Sequence, residues 1–184
     1  MRCFITTKIK ITNKIKEILD KLKVNFIGLE DVWFEASNNS NCNVREIAEH
    51  IYHFNQHVIS KVKHTKGLIL EGFVNNDIDY QESDLNVVDI MLSVSLYRVK
   101  SSPEFSKPLC FSSEEMNLKL THQINTFQRL LNELPEEMIN NYKENSKFIS
   151  GIKLDVYQLI YLYLIHCLYH LSQIRKLNET EEIT

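Results

Sequence analysis

Apolar residues recur along much of this chain at intervals of three and four. The clearest run is Val44, Ile47, Ile51, Phe54, Val58 and Val62. That spacing gathers all six on one face and predicts a helix from about Val44 to Lys63 that buries a single stripe in a bundle. The polar connection Ser37-Asn-Asn-Ser-Asn-Cys-Asn43 precedes it, and Asn43 is placed to cap its first turn. A first helical region is expected from about Asn13 towards Ala36, with Ile15, Ile18, Leu19 and Leu22 on one face. Thr12 is the candidate N-cap there, and Gly28 is a point where the region can divide in two. A third helix starts at Ser112 or Ser113. Ser112-x-x-Glu115 has the form of a capping box, and Met116, Leu120, Ile124, Phe127 and Leu131 carry the apolar face to Leu134. Pro135 then stops or kinks it.

The last helix, about Leu154 to Leu177, departs from this amphipathic pattern. It is apolar nearly all round, as expected of an element buried on several sides or at a subunit contact. Lys and Arg near its end suit the helix dipole. Between residues 65 and 111 the pattern is ambiguous: Leu68-Ile-Leu and Val87-Val-Asp-Ile-Met-Leu-Ser-Val-Ser-Leu-Tyr97 fit helix and strand alike. Pro103 and Pro108 mark an extended connection before the capping box.

Four glycines and three prolines in 184 residues, with several helical windows, favour an all-α domain over a sandwich or βαβ fold. The length suits one domain, residues 1–184, with a core large enough to need no staples. Net charge of −3, with both signs mixed, offers no basic stripe for phosphates, so nucleic acid is not an expected partner. The basic start, Met1 to Lys16, lacks the apolar core of a signal peptide. The run Leu159 to Leu171 is shorter than the roughly 20 residues of a membrane span, and it contains two histidines. A cytoplasmic protein with no membrane association is the expectation. Cys3, Cys42, Cys110 and Cys167 are scattered without a CxxC and read as reduced thiols.

Candidate chemistry concentrates in His166-Cys-Leu-Tyr-His170-Leu-Ser-Gln173-Ile174. Histidines at i and i+4 sit one above the other, with Cβ atoms roughly 5–6 Å apart, so both rings can reach one metal ion. Spacing alone leaves a second reading open, since a histidine in an apolar helix is more often a hydrogen-bonded core residue. A metal would also need a third ligand from another helix. Of the seven histidines, His50 lies on the edge of the 44–63 stripe, beside Ile47 and Phe54, and is the best geometric candidate. His53 falls furthest from the stripe and His57 between; both read as polar-face residues, with His57 as reserve ligand. Gln173, one turn past His170, is either support for a ligand or simply a polar residue near a helix end. Tyr163 and Cys167 read as packing residues. Glu46 and Glu49 read as helix surface, although Glu46 is within a turn of His50.

Glu46-Ile-Ala-Glu-His50 on the second helix, together with His166-x-x-x-His170-Leu-Ser-Gln173-Ile174 on the last, resembles the DinB/YfiT-like superfamily of metal-dependent enzymes. The likeness extends over the helical framework from about residue 12 to residue 178, and these two motifs are its specific part. It implies a four-helix bundle, here with an irregular insertion between the second and third bundle helices. It also implies a divalent metal (zinc, nickel or iron) on His50, His166 and His170, and a homodimer. Two features depart from the family pattern: Leu171 and Ser172 stand where Arg-Gly commonly precedes the glutamine, and the aromatic residue that often opens the second-helix motif is absent.

Three histidine ligands leave a coordination position open to water or substrate. The resemblance therefore points to a metal-dependent transferase or hydrolase acting on a small molecule, with a low-molecular-weight thiol as cosubstrate in the transferase case. The competing expectation is a non-catalytic bundle whose metal site is structural or vestigial, acting through self-association or a partner.

Overall fold

The structure, a computed structural model, describes residues 2–27, 44–71, 84–95, 109, 111–134, 144–145 and 153–181. Among the described residues the regular structure is α-helical apart from one two-residue strand pair. Helix α1 spans Arg2–Ile27, α2 Val44–Leu70, α3 Asn86–Ser95, α4 Ser113–Glu133 and α5 Val156–Glu181. Strands β1 (Glu144–Asn145) and β2 (Lys153–Leu154) pair antiparallel, Glu144 opposite Leu154, just before α5 begins. Helices α1 and α2 each pack against both α4 and α5, and α3 lies on α5.

The apolar stripes explain this arrangement. All six α2 stripe residues are buried, as are Ile11, Ile15, Ile18, Leu19 and Leu22 of α1 and Met116, Leu120, Ile124, Phe127 and Leu131 of α4. They meet in one core cluster with α5, which is buried continuously from Leu154 to Leu164. The helix that is apolar nearly all round is covered by α1 and α2, with α3 as a further cover.

The capping box at α4 is present in full: Ser112 Oγ accepts from the Glu115 amide at 3.2 Å, and the Glu115 carboxylate accepts from the Ser112 amide at 2.9 Å. The helix ends at Glu133, and Leu134, the residue before Pro135, is extended with ψ 122°. An equivalent box opens α5, which the apolar pattern hides: Asp155 Oδ1 accepts from the Gln158 amide at 2.9 Å, and Gln158 Oε1 accepts from the Asp155 amide at 3.0 Å. Gln158 Nε2 also donates to the Asp84 carbonyl at 2.9 Å, tying the start of α5 to the turn before α3. Tyr161 donates to Asp89 at 2.8 Å and Lys14 pairs with the same carboxylate at 3.2 Å, fastening α3 to α1 and α5.

Three expectations are corrected. Thr12 lies inside α1 rather than capping it, because the helix begins at Arg2, a full turn and more before the apolar stripe starts. Its extension towards Ala36, the break at Gly28 and the Asn43 cap fall outside the described residues. The 65–111 insertion is not irregular throughout: Leu68-Ile-Leu extends α2 to Leu70, and Asn86–Ser95 is helix α3. Glu49 is buried rather than on the surface, its carboxylate held by Arg45 Nε at 3.0 Å. Among the described residues, no helix is long and apolar enough to cross a membrane.

Candidate metal centre

Because α2 turns its stripe towards α5, the stripe's edge meets the middle of that helix. There His50 faces His166 and His170. His50 Nε2 lies 3.4 Å from His166 Nε2, which lies 3.0 Å from His170 Nε2. One ring nitrogen from each of the three falls within 4.8 Å of the others, so the group could hold a metal ion. For M–N bonds of about 2.0–2.1 Å, neighbouring ligand nitrogens stand roughly 2.8–3.4 Å apart, between square and tetrahedral angles. Two edges of the histidine triangle already have that length.

Phe54 forms the apolar wall beneath. Its ring stacks on His166 at 3.9 Å between centroids and lies 5.8 Å from His50, with Tyr163 packed at 4.3 Å on it. Tyr163 is fully buried, which fits its expected packing role. Burial holds His166 and His170 uncharged. For His166, desolvation first and then the neighbouring His170 and His50 rings push the pKa well below the ordinary value. Desolvation, with a smaller contribution from His50, brings His170 down to about 4. Uncharged imidazoles are the form that donates a lone pair to a metal.

Tautomers decide which nitrogen is bare. Gln173 Oε1 can only accept, and it lies 2.7 Å from His170 Nδ1, so that nitrogen carries the proton and leaves the His170 Nε2 lone pair facing the other two rings. Gln173 is held in turn, its Nε2 donating to Tyr169 Oη at 3.1 Å, while the Tyr169 ring edges against His170 at 5.3 Å. Gln173 thus orients His170 rather than merely ending a helix. Tyr169 went unnoticed in the sequence, where i, i+4 spacing to Gln173 was the available signal. His166 Nδ1 is buried and has no hydrogen-bond partner among the described residues, so nothing there dictates its tautomer.

The other candidates stand apart. Cys167 is buried, its thiol donating to Asn55 Oδ1 at 3.1 Å and its pKa pushed up to about 12 by desolvation, so it is a core residue and no ligand. The side chains of Cys3, Cys42 and Cys110 lie outside the described residues. His53 and His57 are half-buried rather than on a fully solvated face, and neither belongs to the histidine cluster. Glu46 is exposed. Comparison with family models, with curated proteins and with solved structures returned no match.

Proposed function

We propose that the chain is a four-helix bundle of the DinB/YfiT-like kind in which His50, His166 and His170 hold a divalent metal, and that it acts as a thiol-dependent S-transferase or a hydrolase on a small molecule. The observation that carries this reading is the convergence of three ring nitrogens from two helices within 4.8 Å, with Gln173 fixing the tautomer of one. Imidazoles accommodate zinc, nickel and iron alike. When bound, such an ion supplies Lewis acidity that lowers the pKa of a thiol or water at an open position. The protein's own part is to present three converging imidazoles, two of them held uncharged by burial, and to shield one side of the site with Phe54 and Tyr163. Association into a homodimer belongs to the same proposal.

A metal-loaded sample assayed with low-molecular-weight thiols and electrophiles, and separately with ester, amide and phosphoester substrates, tests the catalytic half. Turnover in one panel, lost in His166→Ala, is expected. Metal uptake without turnover in any panel contradicts catalysis and favours the second reading, a structural metal site. The 3.0 and 3.4 Å separations are also compatible with rings hydrogen-bonded to one another, the arrangement that goes with histidines that bind no metal at all.

A further inference from the structure

Helix α5 poses a problem of registry. From Leu154 to Leu164 every residue is buried, so over that stretch apolar packing does not single out one rotation of the helix about its axis; beyond it Cys167, Leu171 and Ile174 resume a one-sided buried stripe. A slip of one residue along α5 turns every side chain by about 100°. His166 and His170 would then face away from His50. Directional interactions add to that stripe in choosing the rotation observed; Gln158 to the Asp84 carbonyl and Tyr161 to Asp89 act near the start of α5.

One is present directly beside the site. The Cys167 thiol donates to Asn55 Oδ1 at 3.1 Å; Asn55 Nδ2 donates to Gln123 Oε1 at 3.1 Å; Gln123 Nε2 donates to the Tyr52 carbonyl at 3.0 Å. Every side chain in this chain of bonds is 1% exposed, and it links α5, α2 and α4. Each amide uses its oxygen on one side and its nitrogen on the other, so the direction runs one way from thiol to carbonyl. Asn55 follows Phe54, and Cys167 follows His166, so the network's cross-link between α2 and α5 adjoins the Phe54–His166 stack. Buried amides deprived of partners are strongly disfavoured, which penalises every rotation that separates Cys167 from Asn55.

We infer that Asn55, Gln123 and Cys167 are positioning residues: their buried hydrogen-bond chain sets the register of α5 against α2 and thereby brings His166 and His170 to His50. Single buried polar groups that fix helix register at some cost in stability have precedent in coiled coils. The inference rests on the proposed metal site for its purpose, but the register itself exists without metal.

The test uses the full chain with Asn55→Leu and Gln123→Leu combined, which removes both amides together and leaves neither stranded. The first readout is metal-free: NMR cross-peaks between the ring protons of His50 and those of His166 and His170. The second is zinc affinity by competition with a chelator. The double variant is expected to stay helical and melt no lower than wild type, yet lose the single set of ring cross-peaks and bind zinc at least about tenfold more weakly, the lower end for removing groups that support metal ligands. An unchanged ring pattern and affinity in the folded double variant would overturn the inference. Should that variant fail to fold, Cys167→Ala and Cys167→Ser decide: serine keeps a donor and should preserve the cross-peaks, whereas alanine should not. Equal behaviour of the two would contradict the proposal. A wild-type protein that binds no zinc but keeps its ring cross-peaks would remove the metal reading and leave the register claim to stand on the cross-peaks.

Discussion

Helices α2 and α5 supply the same site by different physical means. Helix α2 is amphipathic: its stripe is buried, its opposite face is wet, and His50 occupies the boundary because Ile47, Ile51 and Phe54 leave it nowhere else to go. Helix α5 is buried from Leu154 to Leu164 on every side, and its two histidines follow where that burial relaxes, from Ile165 onward. The first helix is oriented by hydrophobic partition, a strong force that the sequence pattern displays directly. The second relies in addition on a few buried polar contacts, whose partners lie far away in the sequence and are invisible along α5.

If the comparison is right, the largest effect comes from removing a donor that α5 contributes. His166→Ala should abolish stoichiometric metal uptake while leaving the helical content intact, as elemental analysis and circular dichroism together would read. Phe54→Ala attacks the α2 side instead. It opens a cavity under two imidazoles and should cost about 3–5 kcal/mol, seen as a lowered denaturation midpoint. A cost below about 1 kcal/mol would mean the stripe edge is not what seats His50.

Acid tests the burial of the α5 histidines. The unfolded chain protonates His170 near pH 6.5, whereas the folded ring stays neutral down to about pH 4. Between those values the unfolded state binds the extra proton, so its contribution to stability is full above 6.5 and is lost as the pH falls towards 4. His166 acts in the same direction. Denaturant melts of the metal-free protein should fall across that window, with a shallower fall in His170→Ala. An identical slope in both proteins would place the ring in water.

Gln173→Ala sharpens the account of the tautomer. Without the acceptor at 2.7 Å, the His170 proton is free to move to Nε2, and metal affinity should drop about 10- to 100-fold with little change in melting temperature. Smaller still is the cap. Asp155→Ala removes the acceptor for the first turn of α5 and should cost about 0.5–2 kcal/mol in thermal melts without moving metal affinity per folded molecule.

What was legible in the sequence follows the same division. The α2 stripe, the Ser112–Glu115 box and the three histidines could be read because each depends on spacing within one helix or on one helix edge. Thr12 misled because Ser/Thr caps are judged by position relative to an apolar stripe, and α1 continues for more than two turns before its stripe begins. Residues 86–95 read equally as strand because Val87 to Val94 is rich in β-branched and apolar residues; contact with α5 and the Asp89 ties to Tyr161 and Lys14 accompany the helical outcome. Glu49 and the Asn55–Gln123–Cys167 chain were hidden for one reason. A polar residue is read as surface until its packing is known: Glu49 is buried although its partner Arg45 is exposed one turn away, and the amide and thiol partners lie 68 and 112 residues away.

The central claim is that three imidazoles brought together by α2 and α5 hold one divalent ion. Elemental analysis of purified, untagged protein beside His170→Ala tests it most directly. Close to one divalent metal per chain in the wild type, lost in the variant, is the predicted result; no metal in either after reconstitution with zinc, nickel and iron would contradict it and make the histidines hydrogen-bonded core residues.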